Sequence, residues 1–517
     1  MISKNKKNSS QNAKQNIPPV LLSGIILVLI TLYLCFRVYT FYLLPRSWRL
    51  ILILVLILLA GAFLLLSHLR REKGRVLKVV ETILCVLLLI ASVMLPYIEK
   101  KAENLFSTRI RMDVQDFHVY TFTEEYRRAH PELGLPTAVT RNLLDYKDAT
   151  FLYPESTSEA QAEALEQLNK ELGGEADLQS KHTLWQTMQA FYSAEAECIL
   201  LSDTVVDMLE ETEEYANFRN ETNVLKTFRT EIEIPEVRSE SISQNPFTVF
   251  VAGNDTRSGI LSIYGRTDVD ILLTVNPKTA QALIISIPRD TYIPNPALDY
   301  GADKLTHLGN HGIMNTIEAL NALYRINAKY YAAVNFDTFK IVVDTLGGID
   351  INNPYDFQGI HRYFNKGEIH LNGEDALDYV RERHTLSSGD FDRNEHQAIV
   401  LKAILHKLTS RVILEKAGDL LNNLSGTVAT NIKPSSILEL ASQELVARHD
   451  WNIVYYHLGG YGTRAETISM PGLQLYVVYP YSSQIIFVGE EIQRVMDGEI
   501  LEQKELPDAD KTVWEYN

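Results

Sequence analysis

The residues best suited to chemistry in this chain are arginines and aspartates at the ends of apolar, strand-like runs. Asp255 follows the run that ends at Gly253, Arg266 and Asp268 immediately precede the next, and Arg289 and Asp290 follow a third, in Ser-Ile-Pro-Arg-Asp-Thr. Ligands of α/β sheets gather beyond strand carboxyl ends, which puts Asp255 and Arg289 where sites are built. A second basic set, Arg381, Arg383 and Arg393, falls at predicted helix ends, with Gln397 four residues beyond Arg393 on the same face. A cation at a helix N-terminus opposes the dipole, so Arg393 calls for an anion nearby. Five arginines drawn together would grip phosphate oxygens through paired N–H donors. Two acids beside that anion would repel it unless a divalent cation bridged them, and Mg²⁺ takes one or two carboxylates plus phosphate oxygens. Asp255 and Asp268 are therefore the candidate metal ligands, and the expected anion is one of several charges, such as a pyrophosphate. The competing reading makes each charge a turn cap or part of a solvated face. There is no Gly-Lys-Ser phosphate loop, no HExxH and no GxSxG with a plausible triad, so nucleotide and peptide chemistry are unsupported. His307 and His311 are four apart, but Gly309 and Gly312 predict a loop there rather than a metal-binding helix.

Elements that could hold these residues follow from periodicity. Strands are expected at 247–253, 270–276 and 282–287, and helices at 315–324, 336–346, 373–383 and 392–409. Asp392 is placed to cap the last of these, with Glu395 completing a capping box. Further strands at 451–458 and 474–479 and a helix at 483–496 continue the pattern. The mixture predicts an α/β sandwich with a central mixed sheet over residues 247–498, followed by a tail at 499–517. Residues 107–240 also alternate strand-like and helix-like pieces, without a catalytic pattern, and predict a small α+β accessory domain. Residues 235–246, with two prolines and three serines, read as the linker.

Composition separates the chain further. Of 49 basic and 65 acidic residues, 14 and 4 respectively lie in the first 106, so that segment carries +10 and the remainder −26. So acidic a remainder is a poor nucleic-acid binder, because counterion release needs a cationic surface. Three cysteines exclude a disulfide scaffold. Apolar runs at 20–36, 50–67 and 79–98 are each near the length of a bilayer core and predict three transmembrane helices within residues 20–98. Lys4, Lys6, Lys7 and Lys14, and the cluster Arg70 to Lys78, place residues 1–19 and the second connection on the cytoplasmic side. Residues beyond about 100 are then extracytoplasmic, anchored in the cell membrane by a multi-pass N-terminus.

The ordered motifs Gly-Arg-Thr-Asp-Val-Asp-Ile-Leu (265–272), Ser-Ile-Pro-Arg-Asp-Thr (286–291), Asp-Lys-Leu-Thr-His (303–307) and Val-Asp-Thr-Leu-Gly-Gly-Ile-Asp (343–350) lie in the sandwich region. Leu-Asn-Gly-Glu-Asp-Ala-Leu-Asp-Tyr-Val-Arg-Glu-Arg-His (371–384) and Gly-Asp-Phe-Asp-Arg-Asn-Glu-His-Gln (389–397) follow. This stretch resembles the LytR–CpsA–Psr family of bacterial cell-envelope proteins. The layout of three spans plus an accessory domain is similar to its CpsA-type, capsule-associated branch. The resemblance implies transfer of a glycan polymer, such as capsule or teichoic acid, with one phosphate from a polyprenyl pyrophosphate lipid to peptidoglycan. It implies Mg²⁺ (or Mn²⁺) at Asp255 and Asp268. Arg266, Asp268, Arg289, Arg381, Arg383 and Arg393 become the catalytic set, and those arginines with Lys304 and Gln397 the pyrophosphate-binding set. Implied partners are the lipid-linked glycan, the peptidoglycan acceptor, the membrane and capsule assembly proteins, with no nucleic acid. Two positions depart from the family pattern: Asp270, where many relatives carry Asn, and Ile293, where several carry Arg. Asp268 is the candidate base, and Ile317, Leu320, Leu323, Phe339, Ile341, Val342 and Leu346 on two helices are the candidate lipid groove, with ordinary core packing of the same amphipathic stripes as the competing reading. Alternative readings of the same residues are a polyprenyl-pyrophosphate hydrolase, with water replacing the sugar hydroxyl, and a non-enzymatic membrane regulator of capsule production.

Overall fold

A computed structural model describes residues 19–507, apart from 42–43, 45, 70–73, 111, 157, 211, 234–240, 255–261, 383–389, 409, 411–415, 417–418, 421–422, 425–427 and 448. The chain divides into two compact units, Met1–Glu103 and Asn104–Asn517.

The first unit is built on helices α1 (Pro19–Thr40), α2 (Arg46–Leu69) and α3 (Gly74–Ile110). Among the described residues, two segments are long and apolar enough to cross a membrane: Ser47–Leu65 and Thr82–Lys100. The described apolar part of α1, Gly24–Thr40, is shorter than a span and ends around Arg37, whose guanidinium meets Glu99 at 2.8 Å. Leu54 and Leu58 remain more than half exposed, an arrangement that suits lipid rather than water.

The second unit contains two α/β layers. The accessory sheet has the order β3-β2-β4-β1-β5, built from β1 (Met112–Phe122), β2 (Thr150–Pro154), β3 (Asp177–Lys181), β4 (Cys198–Ser202) and β5 (Thr222–Glu233). Strands β2, β3 and β4 run parallel, while β1 is antiparallel to β4 and β5. Helices α4 (Glu124–Ala129), α5 (Glu159–Glu171), α6 (Leu184–Tyr192), α7 (Asp203–Leu209) and α8 (Phe218–Glu221) accompany it. Both faces of the sheet are covered: Cys198 and Leu200 enter one apolar cluster, and Ile199 and Leu201 the other, by the two-residue alternation of a strand.

Among the described residues, the larger sheet has six strands in the order β16-β11-β6-β7-β8-β17. They are β6 (Phe247–Asn254), β7 (Val269–Asn276), β8 (Gln281–Ile287), β11 (Tyr330–Asn335), β16 (Val428–Thr430) and β17 (Asn452–His457). Strands β6 and β11 are parallel, as are β8 and β17, whereas β7 is antiparallel to both neighbours, so the expected mixed sheet is present. Phe250, Ala252, Leu272 and Ile285 pack on one face with α10 (Ile313–Tyr324) and α15 (Ser482–Asp497). Val249, Leu273 and Val275 pack on the other with α14 (Pro434–Ala447). Around this core lie β9 (Tyr292–Asn295), β10 (Gly301–Lys304), α9 (Leu305–Leu308), α11 (Phe336–Thr345), β12 (Ile349–Asn353), β13 (Phe357–Gln358), β14 (Tyr363–Phe364), β15 (Gly367–Leu371), α12 (Gly373–Arg381), α13 (Asp390–Leu408) and the hairpin β18 (Gly460–Thr467) and β19 (Met470–Pro480).

Three expectations need correction. Helix α13 begins at Asp390, so Asp392 lies inside its first turn instead of capping it. The segment around His307 is a helical turn, not a loop: α9 runs into a 3₁₀ turn over Gly309–His311. Ile317, Leu320 and Leu323 are buried in the core beneath the sheet, so α10 contributes no lipid groove. Amphipathic spacing cannot distinguish a stripe that faces a sheet from one that faces a ligand. On α11, Phe339 and Val342 are only partly buried, against a separate cluster that includes Leu346 and Tyr379.

Candidate active site

Strand directions bring most of the predicted charges to one edge of the large sheet. Gly253 pairs with Val269 and Asp270 with Ile287, so the end of β6, the start of β7 and the end of β8 lie side by side. The end of β11 joins them, because Asn335 pairs with Asn254.

Backbone hydrogen bonds fix the loops there. The Asp268 N–H donates to the Gly253 carbonyl (2.8 Å), and the Gly265 N–H to the Gly309 carbonyl (2.9 Å). A Cβ on Gly309 would lie 2.1 Å from the Gly265 carbonyl oxygen, so only glycine permits that approach beside Arg266. Arg289 sits in a turn closed by the Thr291 N–H on the Pro288 carbonyl (3.0 Å), and its own carbonyl accepts from the Thr306 N–H (2.9 Å).

Side chains then assemble a compact charged group. Arg289 Nη1 donates to Asp268 Oδ1 at 2.5 Å, and Lys304 Nζ meets Asp290 Oδ1 at 2.5 Å. Asp270 is buried one step inside, facing the same way as Leu272, and neither carboxylate oxygen makes a well-formed hydrogen bond among the described residues. Burial pushes its carboxyl up to about 8. Asp268 and Asp290 add to the shift, and the nearby Thr267 hydroxyl and Arg289 only partly offset it. Ile293, the second departure, is buried in the apolar core, so this position contributes no cation.

Arg381 ends α12, and its guanidinium lies over the Phe336 ring, 4.5 Å from the centroid. Phe336 follows directly on Asn335 at the end of β11, so this shelf for Arg381 lies at the same edge of the sheet that Arg289 leaves from β8. Gln397 is half-buried on α13 beside His396, which is fully buried with its Nδ1 3.1 Å from the Tyr379 carbonyl and its ring 4.2 Å from that of Tyr379. This aromatic contact locks α12 against α13 and was not anticipated from the sequence. Arg393 lies in the first turn of α13, its side chain outside the described residues, as are Asp255 and Arg383.

Two further acids in the recognised motifs hold structure. Asp378 accepts from the N–H groups of Ile360, His361 and Arg362 at 2.6, 2.9 and 3.2 Å and so clamps the β13–β14 turn. Asp303 accepts from Ser469 Oγ (2.9 Å) and faces His307 Nδ1 (2.8 Å), and the same ring nitrogen lies 3.0 Å from Ser469 Oγ. Acid and hydroxyl share one nitrogen, so this trio is a tether for the β18–β19 hairpin and cannot relay a proton as a catalytic triad does.

Hard carboxylate oxygens at this edge suit Mg²⁺, which needs only one or two acids when phosphate oxygens complete its shell. Among the described residues no group of three or more His, Cys, Asp or Glu side chains converges on a metal position. Asp268, with the buried and poorly satisfied Asp270 behind it, nonetheless has the donor chemistry for such an ion.

The fold is an α/β sandwich with paired arginine, lysine and aspartate side chains at its strand ends, in a chain whose N-terminal region carries helices long and apolar enough to cross a membrane. Residues 209–470 match the LytR_cpsA_psr family, and the chain belongs to that family. Over 228 residues it is 35% identical to the polyisoprenyl-teichoic acid–peptidoglycan teichoic acid transferase TagU of Bacillus licheniformis, covering 44% of this chain and 72% of that one. TagU of Bacillus subtilis is 33% identical over 259 residues, 49% of this chain and 82% of its own. The crystal structure of B. subtilis TagV is 29% identical, covers 49% of this chain and 98% of that chain, and superposes with a TM-score of 0.41.

Proposed function

We propose that the protein transfers a glycan polymer, together with one phosphate, from a polyprenyl pyrophosphate carrier to peptidoglycan. The observation that carries this reading is the Asp268–Arg289 pair at the strand edge, with Arg266 on the adjoining loop and Arg381 on its aromatic shelf, in a region of the chain that is otherwise strongly acidic. Family membership and the transferase relatives support the same reaction.

A sugar hydroxyl of the acceptor attacks the phosphorus nearer the glycan. A new P–O bond to the acceptor forms, the bond to the bridging oxygen breaks, and polyprenyl phosphate leaves with that electron pair. Arg289, Arg266 and Arg381 neutralise charge on the phosphate oxygens, where positioning and electrostatics do most of the catalysis. Arg383, Arg393, Lys304 and Gln397 complete the pyrophosphate grip in this reading. Mg²⁺ at Asp255 and Asp268 would supply further charge neutralisation on the phosphates. Asp268 is the candidate acceptor of the hydroxyl proton. The pyrophosphate bond itself supplies the driving force, which suits a site without ATP. Three membrane crossings with the N-terminus cytoplasmic would put residues 107–517 outside the cell, within reach of both lipid donor and wall. Capsule assembly proteins are the further partners proposed.

The test measures transfer of labelled glycan from a polyprenyl pyrophosphate donor to peptidoglycan, with products identified by mass spectrometry. Arg289→Ala abolishes transfer while the circular dichroism spectrum is retained, and EDTA stops turnover until Mg²⁺ is restored. Full activity of the folded variant rejects the arginine assignment, and metal-independent transfer removes the metal role of Asp255 and Asp268.

A further inference from the structure

A cleft lies where the accessory sheet meets the large domain. Its floor is the carboxyl edge of the three parallel strands β2, β3 and β4, and Tyr264, Gly265 and Asn310 form part of the opposite wall. The contact between the two sides is close. A Cβ on Gly265 would sit 2.9 Å from Thr204 Cγ2, and Asn310 Nδ2 donates to Met208 Sδ at 3.0 Å. This wall continues into the site described above: Tyr264 is two residues from Arg266, at most about 7 Å along the backbone.

The lining has a distinctive chemistry. Six of its twenty residues are Ser or Thr and three are Asn or Gln, with Phe117 and Tyr264 offering aromatic surface. Among the described lining residues there is no Lys or Arg, and the one acid, Glu155, is paired with His182 at 3.1 Å. Of the two histidines in the set, His182 faces Glu155 and burial disfavours charge on His311, so little there attracts a phosphate or carboxylate. Neutral hydroxyls and amides beside aromatic rings match a sugar, whose hydroxyls both donate and accept while its C–H face lies on an aromatic ring. Asn310, in the same wall, has a buried amide oxygen without a hydrogen-bond partner among the described residues. The cleft has a volume of about 90 Å³ and is open on one side. That space exceeds what a single ordered water needs and so can admit a polar ligand group.

We propose that this cleft is a saccharide subsite that holds one neutral sugar residue of the glycan beside Arg266. The inference rests on the transferase reading for its biological sense, and deepens it by assigning the accessory domain a share in substrate recognition. The sugar belongs either to the acceptor strand or to the donor polymer.

The experiment uses the full chain in detergent and three probes: an N-acetylglucosamine tetrasaccharide, a short-chain polyprenyl pyrophosphate bearing a disaccharide, and the same lipid without sugar. Binding is read by saturation-transfer NMR and calorimetry. Ser156→Trp fills the mouth of the cleft from an exposed position, and Tyr264→Ala removes an aromatic face. Both variants are expected to weaken saccharide binding at least tenfold, while Ser156→Trp leaves affinity for the sugar-free lipid unchanged. Loss confined to the tetrasaccharide identifies the acceptor strand as the occupant; loss confined to the glycosylated lipid identifies the donor. Unaltered binding of both by folded Ser156→Trp protein, or no saccharide binding by the unaltered chain, overturns the proposal. The two ideas fail separately, because normal transfer by Arg289→Ala would discredit the transferase site without changing any of these binding results.

Discussion

Arg381 shows how much one side chain depends on its setting. Its charge stands on the Phe336 face, a planar arrangement that a lysine ammonium cannot reproduce, and its forked N–H donors can meet two phosphate oxygens at once. Arg381→Lys is therefore expected to keep the fold and lose about 1.5–3 kcal/mol of transition-state binding, about 10- to 150-fold in kcat/KM, in the glycan-transfer assay. Buried titratable groups set the acid response. His311 is held below its ordinary value by burial and by the neighbouring His307, against the pull of Asp303. The unfolded chain therefore protonates first, and stability falls as the pH drops below about 6.5. Asp303 is a carboxylate held low: burial would raise it, but His307, Asn295 and Ser469 outweigh that. Its stabilisation is complete above the usual carboxylate range and is lost as the pH falls through its lower folded value. Urea midpoints measured from pH 7 to pH 3 should show both stages. His311→Gln should flatten the upper one and leave the lower one in place.

Among elements, the loop that carries Arg266 and Asp268 is positioned by contacts far away in sequence. Gly309 admits the Gly265 carbonyl where any side chain would collide, and Asp268 is tied to the end of β6. Gly309→Ala should force the loop outward, destabilise the domain by about 1–3 kcal/mol and lower transfer activity together. Denaturant titration and the transfer assay on the same preparation check this, and unchanged activity would show that the loop does not need this support. The strand and helix expectations around the site agree with the structure to within one or two residues for β6, β7, β8, α11 and α12, because alternation and amphipathic spacing are local signals. Strand β3 and helix α6 escaped notice. Asp-Leu-Gln-Ser-Lys is too polar to announce a strand, and it forms one only as the edge of a sheet whose other members supply the ladder.

For the whole molecule, the chain joins an apolar helical unit to an acidic unit of more than 400 residues. Tethering raises the local concentration of the catalytic domain at the surface where a lipid donor resides. Residues 104–517 alone should remain folded and retain chemistry on a detergent-dispersed donor. On vesicle-embedded donor they should be about 100-fold less effective than the full chain, recovering as protein concentration is raised. Equal activity on vesicles would mean that the helices serve some purpose other than delivery.

What the residue order determined by itself is local or additive: the charge split, the apolar helices, the alternation of strands and amphipathic helices, and ordered motifs specific enough to indicate the family. Arg289 and Asp268 could be nominated this way because each adjoins an apolar strand. Only the tertiary structure decided that they form a pair, that Arg381 rests on Phe336, and that Asp378 and Asp303 serve turns and tethers although they sit in the same motifs. The physical reason is that hydrogen bonds and ion pairs are short-ranged. Whether two charges 21 positions apart meet depends on strand order and register, which arise from burying every apolar face at once and are not written in any single segment.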